Sequence, residues 1–325
     1  MKTKMFLLIA ALTATVAIHA QQISVVSPAG ETKIFTDLNL AIQGADTGST
    51  IYLSGGGFHV SDTTKITKKL TIIGIGHRSD NDNADGNTSV SGSFCFEGGS
   101  DNSAVMGLWL SDDVNIGTEE NGINNFLLRY CNVNRVQVKN SNCQGILINQ
   151  NYLRGTSQGG NSPVTFSNNI LNDIMTVLGG VINHNVIRGH LGMSGTPASA
   201  ALDCQINNNI IFSTLGWNTP GSTFDSNMST GTVGGDNANT VVATSWDDVF
   251  KGTYSGVNPN DNYDLADGAP GKGKATDGSD IGVYGGTGFS PTALPPGPRI
   301  VSKKVADQTD ANGNLSVEIK VSVAP

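Results

Sequence analysis

Two pairs of adjacent carboxylates come nearest, in residue type and spacing, to a catalytic arrangement. They are Asp112-Asp113 and Asp247-Asp248, and hydrolysis of a glycosidic bond needs two carboxyl groups, one as acid and one as base or nucleophile. The central segment 121–202 contains one acidic residue, Asp173, and therefore has no pair of its own. Asp113 also falls at a turn position of the repeat described below, which predicts a structural role for it.

No metal and no cofactor is predicted. The stretch DNDNADG, Asp80 to Gly86, gathers carboxylates near a glycine, but its spacing departs from a calcium loop by one residue and lacks the closing glutamate. A polar surface loop is predicted there instead. His59, His77 and His190 lack metal-ligand spacing, and His184 is predicted to be an exposed turn residue.

The elements that must position any site are indicated by a repeat in which asparagine precedes one or two apolar residues. Successive copies are separated by 19, 18, 16 and 24 residues. Strand-forming residues flank the asparagine and show no sustained helical period. A period of roughly twenty residues with short strands around a fixed turn is typical of a stacked solenoid. The aligned asparagines are Asn132, Asn151, Asn169, Asn185 and Asn209.

These asparagines are predicted to be structural. Asparagine tolerates the left-handed backbone conformation that a tight turn requires. Stacked in register, the amides can also hydrogen-bond to one another as a ladder along the solenoid. Losing one amide is expected to cost about 1 kcal/mol of stability, and more where a neighbouring group is left unsatisfied.

Composition and charge exclude several classes of protein. The 325 residues include 41 glycines and 14% charged residues, which argues against a helical protein because glycine is unfavourable in helices. The 38% of hydrophobic residues argues against disorder. The net charge of −8 disfavours a nucleic-acid partner, which a basic surface would favour.

The first twenty residues are predicted to be a secretory signal peptide. Lys2 and Lys4 precede an apolar stretch, and Ala20 is a small residue before the expected cleavage point. The mature chain, with 17 basic and 27 acidic residues and so a net charge of −10, is expected in the periplasm, at the cell surface or outside the cell. Four cysteines could form disulfides in three pairings or remain buried thiols: Cys95, Cys131, Cys143 and Cys204.

Both ends of the repeat resemble a known family. The segment Phe35 to Gly76, with a short helix expected at Asp37 to Gln43 before TIYL and LTIIGIG, resembles the opening of pectin-lyase-like right-handed parallel β-helix proteins. The segment NYDLADGAPGKGKATDGSDIGVYGG, Asn262 to Gly286, resembles the closing part of secreted β-helix proteins of Bacteroidetes. The resemblance implies an all-β, right-handed parallel β-helix with an N-terminal capping helix, on a scaffold that carries many functions.

The catalytic motifs of that family are not matched. The chain has no Asn-Thr-Asp, and Gly189-His190-Leu191-Gly192 departs from the Gly-His-Gly of polygalacturonase-like enzymes. Neither the acidic calcium cluster nor the Arg-x-Pro-x-x-Arg motif of pectate-lyase-like enzymes is visible. A non-catalytic, carbohydrate-associated module is therefore predicted. A polysaccharide lyase acting on an acidic glycan and a purely structural surface protein remain the alternatives.

One pattern indicates a binding surface. The residues three places after the aligned asparagines are rich in arginine, and strand alternation predicts that they point outward, about 4.8 Å apart from coil to coil. Segment 121–202 has five basic residues and one acidic residue. Arginines can pair bidentately with the anionic groups of a glycan, although exposed strands also need solubilising charge. The predicted glycan contacts are Arg135, Arg154, Asn172 and Arg188, with the loop residue Trp217, whereas Trp109 and Trp246 are expected in the core or cap.

The chain is predicted to divide into a signal peptide (1–20), a β-helix domain (21–289), a Pro-rich linker (290–298) and a C-terminal β-hairpin (299–325). Prolines in SPTALPPGP cannot continue a central strand. From Leu315 to Val323 apolar and polar residues alternate, which predicts a half-buried strand. Because a lone hairpin is marginal in water, it is expected to pack on the β-helix or on a partner. Oligomeric state is left open.

Overall fold

The computed structural model of the chain describes residues 21–61, 63–78, 86–158, 162–172, 177–188, 201–212, 221–230, 237–238, 240–243, 245–246, 249–252, 261–306, 308–310 and 312–323. The predicted signal peptide lies outside them. Within them the chain is all-β apart from a single α-helix, Leu38–Gly44.

Two sheets of 12 strands each run side by side along a solenoid. Their strands pair in parallel from coil to coil, except that Ile23–Val26 pairs antiparallel with both of its neighbours at the N-terminal end. The first sheet contains, in chain order, Ile23–Val26, Thr32–Phe35, Thr50–Leu53, Thr71–Ile73, Ala104–Met106, Leu127–Arg129, Ile146–Asn149, Val164–Ser167, Val181–Asn183, Gln205–Asn207, Thr223–Asp225 and Asn237–Ala238.

The second sheet faces the first across the interior. Its strands are Gly56–His59, Thr64–Ile66, Thr88–Ser91, Phe94–Phe96, Trp109–Ile116, Asn132–Val138, Tyr152–Gln158, Ile170–Leu171, Val186–Ile187, Ile210–Ile211, Met228–Ser229 and Val241–Val242. A two-stranded sheet of Val177–Leu178 and Ala201–Leu202 lies apart from both. The parallel β-helix predicted from the repeat is confirmed.

The capping helix closes the N-terminal end of the core. Asp37 is its N-cap, and its carboxylate accepts a hydrogen bond from the backbone N–H of Leu40 at 2.8 Å. Leu38, Ala41 and Ile42 are buried on one face, so the helix covers apolar side chains that an open coil would expose.

A ladder of five buried asparagine amides runs through the coils. Oδ1 of Asn169 accepts from N and Nδ2 of Asn151, at 2.9 and 3.1 Å, while Nδ2 of Asn169 donates to Oδ1 of Asn185 at 3.1 Å. The same pattern joins Asn185 to Asn209 and Asn209 to Asn227. Each buried amide is therefore hydrogen-bonded to the ladder residue of the neighbouring coil, as buried polar groups need hydrogen-bond partners.

The membership of the ladder differs from the prediction at both ends. Asn132 lies opposite Tyr152 in the register, and Cys131 takes the ladder place, since its backbone N–H donates to Oδ1 of Asn151 at 2.9 Å. Aligning the first copy on its asparagine had displaced it by one residue. Asn227 was not aligned because Ser229 follows it where other copies have a second apolar residue.

The left-handed conformation belongs to the residue before each ladder asparagine, not to the asparagine as predicted. Their φ angles lie between +52° and +61°. All five are buried, and four of them contact residues 276–290 outside the coils; we refer to these four as the outer row. They are Gln150 (φ 55°), Asn168 (53°), His184 (54°) and Asn208 (61°).

Two hydrophobic clusters lie on opposite sides of the second sheet. In each repeat the second apolar residue after the ladder asparagine, such as Leu171 or Ile187, packs in the solenoid interior. The first one, such as Ile170 or Val186, packs in an outer cluster. Residues 261–297, which we call the strap, supply part of this outer cluster, including Ile281 and Val283. Both apolar residues of a repeat are thus buried, the second by the solenoid interior and the first by the outer cluster.

The strap runs back along the outside of the coils in the direction opposite to their order in the chain. Thr276 contacts Asn208: its N–H donates to Oδ1 at 2.8 Å. Nδ2 of Asn168 donates to the carbonyl oxygens of Val283 and Gly285, at 2.9 and 2.8 Å. Ser290 N–H then donates to Oε1 of Gln150 at 2.9 Å. The outer row is therefore the docking edge for the strap.

His184 belongs to this edge and is not the exposed turn residue that was predicted. It is 2% exposed, with Nδ1 3.3 Å from the carbonyl oxygen of Gly282 and Nε2 3.5 Å from Oδ2 of Asp277. Gly285 and Gly286 approach the imidazole so closely that a Cβ on either would overlap it. Burial lowers the pKa of His184, the largest effect, while the Asp277 charge opposes the shift.

The segment predicted as a linker lies against the first coils, and the hairpin projects beyond it. Ala293 and Pro295 are buried. Strands Pro298–Val305 and Val317–Val323 pair antiparallel, as expected for the hairpin. The apolar side chains of its second strand are not half-buried as predicted. Their exposed fractions are 52% at Val317 and Ile319, 55% at Val321 and 65% at Val323, and Leu315, just before the strand, is 49% exposed.

The four cysteines are all buried and unpaired. Desolvation raises the pKa of Cys131 to about 12, so its thiol stays protonated and acts as a small apolar group. Among the described residues, no helix is long and apolar enough to cross a membrane.

Candidate functional site

An arginine column forms on the outer face of the second sheet, beside the strap. Leu153, Leu171 and Ile187 stand in register, and the next residue in each strand follows them. The N–H of Asn172 donates to the carbonyl oxygen of Leu153, and that of Arg188 to Leu171, both at 2.9 Å. Arg154 and Arg188 are exposed and Asn172 is partly exposed. Arg154, Asn172 and Arg188 constitute the arginine column.

The ladder and the two clusters explain why these side chains point outward. The ladder asparagine fixes the end of the turn, the first apolar residue enters the outer cluster, and the second enters the interior. Strand alternation then turns the third residue away from the interior. The strap covers the first position and leaves the third uncovered, so arginine at the third position reaches solvent.

Arg135, also predicted for this column, lies elsewhere. It stands in register with Gly155 and Asp113, one place out of line, for the same reason that displaced Asn132. Its Nη2 forms an ion pair with Oδ2 of Asp113 at 3.1 Å, and its Nε donates to the same oxygen at 3.3 Å. Its charge is therefore already neutralised.

The arginine column continues into an aromatic stack. The backbone N–H of Phe212 donates to the carbonyl oxygen of Ile187 at 2.9 Å, which places Phe212 in the rung after Arg188. Its ring stacks on Trp246 at 4.1 Å between centroids and on Phe250 at 6.0 Å. Phe212 and Trp246 are partly exposed, so Trp246 forms part of a surface rather than of the core alone.

Both arginines of the column act electrostatically on Tyr152, which lies in the outer cluster. Burial raises the pKa of Tyr152, the positive charges of Arg154 and Arg188 lower it, and Asp261 raises it. Among the described residues neither Arg154 nor Arg188 forms an ion pair, in contrast to Arg135. The column therefore presents two positive charges that no carboxylate of the described residues neutralises by direct contact.

The carboxylate pair of Asp112 and Asp113 serves the fold. Oδ2 of Asp112 accepts from the N–H of Gly92 at 2.9 Å and from the Ser111 hydroxyl at 2.8 Å, and these hydrogen bonds lower its pKa. Asp113 lies within the strand Trp109–Ile116, at an irregularity in the register, not in a turn. It neutralises Arg135. Both carboxylates are thus engaged by neighbouring groups of the fold.

Several predicted positions fall outside the described residues. These are Asp173, His190, Trp217, the pair Asp247-Asp248 and all but the last residue of DNDNADG. Within the described part of the chain, no group of three or more His, Cys, Asp and Glu side chains could hold a metal ion.

Trp109 is a surface residue that sequence reasoning assigned to the core or cap. It is 47% exposed, on the outer face of the second sheet between Ser89 and Asn132 in register. Its neighbour Leu110 is buried. The alternation of Trp109, Leu110 and Ser111 around that inward leucine was the signal that could have revealed it.

No protein-family model and no curated protein matches the chain. Function is therefore argued from the chemistry of the site, because a β-helix scaffold does not by itself specify an activity.

Proposed function

We propose that the chain is an exported, non-catalytic module that binds an anionic glycan through the arginine column. The observation that carries the proposal is that Arg154 and Arg188 project from the same column, on either side of Asn172, without an ion-pair partner among the described residues, while Arg135 nearby is paired. Guanidinium groups donate paired hydrogen bonds to carboxylate or sulfate, and this geometry is stronger than a point charge.

The spacing of the column suits a linear polymer rather than a small ion. Neighbouring coils are about 4.8 Å apart, so the two arginines stand roughly two coil steps apart with Asn172 between them. An amide both donates and accepts, which suits the hydroxyl groups of a sugar. The partly exposed Phe212 in the next rung, with Trp246 stacked on it, offers a flat apolar surface for a sugar face.

The resemblance to pectin-lyase-like β-helix proteins, and to the secreted ones of Bacteroidetes, also supports glycan binding. So does the predicted signal peptide, because an exported protein meets extracellular polysaccharide. The overall charge of −8 repels polyanions at long range. We therefore expect binding to depend on the local column and to weaken as salt screens it.

The test is retention of the purified chain on immobilised polyuronate and sulfated polysaccharide, with a neutral polysaccharide as reference. We expect retention on the acidic glycans that falls with added salt. Arg154→Ala and Arg188→Ala should each weaken binding about tenfold, since each removes a hydrogen bond to a charged group. The matched control is Arg135→Ala, which removes an arginine already paired with Asp113.

Three results would overturn the proposal. Equal retention of the Arg154→Ala, Arg188→Ala and Arg135→Ala variants would show that the column is not the binding surface. Absence of retention on every glycan would favour a structural role. Release of unsaturated uronate products, followed by ultraviolet absorbance, would show a polysaccharide lyase.

A further inference from the structure

A groove lies between the first coils of the solenoid and the base of the hairpin. Its volume is 440 Å³, within the range of roughly 300–1,000 Å³ typical of small-molecule sites. One wall is the outer face of the first sheet, with Tyr52 and Ile73, and the other is the end of the strap and the start of the hairpin, with Pro295 and Pro298. It shares no lining residue with the arginine column.

The walls of the groove are held together by close backbone contacts. Pro295 is buried over Gly107, where a Cβ would lie 2.6 Å from Cγ of the proline. A Cβ on Gly74 would in turn lie 2.5 Å from the carbonyl oxygen of Gly107. Glycine at both positions therefore lets the strap seat directly on the coil, so the two walls keep their separation.

The lining combines apolar surface with one cation. Tyr52 is 42% exposed, and its ring offers an apolar face beside Ile73 and the prolines. Among the described residues that line the groove, Arg299 alone is charged. Nε and Nη1 of Arg299 are shielded from solvent and have no hydrogen-bond partner among the described residues.

These two nitrogens are therefore strong donors without an acceptor among the described residues. Desolvated donors are costly when unpaired, and a carboxylate is the acceptor that guanidinium geometry matches best. The groove walls around the guanidinium would exclude water from the apolar part of a ligand. They offer few hydrogen-bond partners for a ligand with many hydroxyl groups. The remaining polar side-chain groups in the lining are the Tyr52 hydroxyl and those of Gln22, Ser24 and Ser54, on the sheet side.

We propose that this groove binds a small organic acid whose carboxylate pairs with Arg299 and whose apolar body lies against Tyr52 and the strap prolines. This ligand class and this site go beyond the anionic glycan of the arginine column. The two can be tested separately, because no residue is common to both.

The experiment is calorimetric titration of the full chain with phenylacetate and hexanoate, each compared with its neutral amide. Glucuronate is included as an acid with a polar body. We expect both apolar acids to bind at least tenfold more tightly than their amides, and glucuronate to bind more weakly than either acid. Arg299→Gln should remove the preference for acid over amide, and Arg299→Lys should retain part of it.

Tyr52→Ser should weaken acids and amides alike, because it removes the apolar face and leaves the charge. Arg154→Gln is the matched control and should leave these titrations unchanged while reducing glycan retention. The proposal is overturned if no apolar acid binds at millimolar concentration, if acid and amide bind equally, or if Arg299→Gln retains the acid preference. It is also overturned if glucuronate binds most tightly.

Discussion

Replacing Asn169 by alanine removes the middle rung of the ladder. Its Oδ1 accepts from N and Nδ2 of Asn151, at 2.9 and 3.1 Å, and its Nδ2 donates to the Ile148 carbonyl at 2.8 Å and to Oδ1 of Asn185 at 3.1 Å. Four buried hydrogen bonds therefore depend on this one side chain.

The expected cost follows from what remains unpaired. Nδ2 of Asn151 keeps the carbonyl oxygens of Leu128 and Asn149, and Oδ1 of Asn185 keeps the N–H of residue 169. The backbone N–H of Asn151 loses its side-chain acceptor and stays buried. One buried unsatisfied donor costs about 1–3 kcal/mol and each lost bond about 1 kcal/mol. With one donor left unsatisfied and three further bonds lost, we expect the free energy of unfolding to fall by about 4–6 kcal/mol.

The assay is equilibrium denaturation in urea, followed by circular dichroism. Asn132→Ala is the matched control, because Asn132 is an asparagine of the same repeat whose side chain is outside the ladder. It should change the free energy of unfolding by less than about 0.5 kcal/mol. If Asn169→Ala costs no more than Asn132→Ala, the ladder does not stabilise the solenoid and the reasoning is refuted.

Three further predictions concern the strap and the core. Because burial lowers the pKa of His184, the unfolded chain binds a proton at this residue more readily than the folded chain does. The stability contributed by the neutral, buried imidazole is therefore complete above pH ~6.5 and is lost as the pH falls below it. The urea midpoints of wild type and His184→Asn, compared at neutral and acidic pH, measure this loss, and equal midpoint shifts in the two proteins would contradict it. Gly282 has φ +97°, and a Cβ there would lie 2.5 Å from Cδ1 of Ile210. Gly282→Ala should therefore lower the free energy of unfolding by about 1–3 kcal/mol. Thermal unfolding should show a larger loss than for Gly278→Ala, where φ is +82° but no atom lies within 4 Å of the added Cβ. The buried Cys131 thiol, with its pKa raised to about 12, should react with a thiol reagent only after denaturation, so rapid labelling of the native chain would contradict its burial.

The central coils were predictable because most of them obey the same local rule. The ladder asparagine, the inward apolar residue and the outward third residue recur at the same offsets around Asn151, Asn169 and Asn185. The hydrogen bonds and the burial of these residues depend only on the adjacent coils. Where one copy departs from the rule, as with Cys131 in place of asparagine, alignment by residue type failed and carried Arg135 into the wrong column.

The strap was not predictable in the same way. Its contacts join residues far apart in the chain, such as Ser290 and Gln150, which are 140 residues apart. Its glycine-rich sequence shows no periodicity that would indicate a partner. The burial of His184 follows from the strap alone, so no pattern around that histidine could reveal it. Likewise, Arg299 acquires its surroundings only when the strap seats on Gly107.

The outer row gives the molecule a mechanical polarity. The strap is the last stretch before the hairpin, and it crosses the coils from the late ones back to the early ones. Force applied at the C terminus should therefore first separate Pro295 from Gly107 and then break the strap contacts of Gln150, Asn168 and His184 in turn. The contacts would break one at a time rather than together. The coils beneath would carry the load only after the strap had been lifted off them. During synthesis the strap emerges after the coils that it secures.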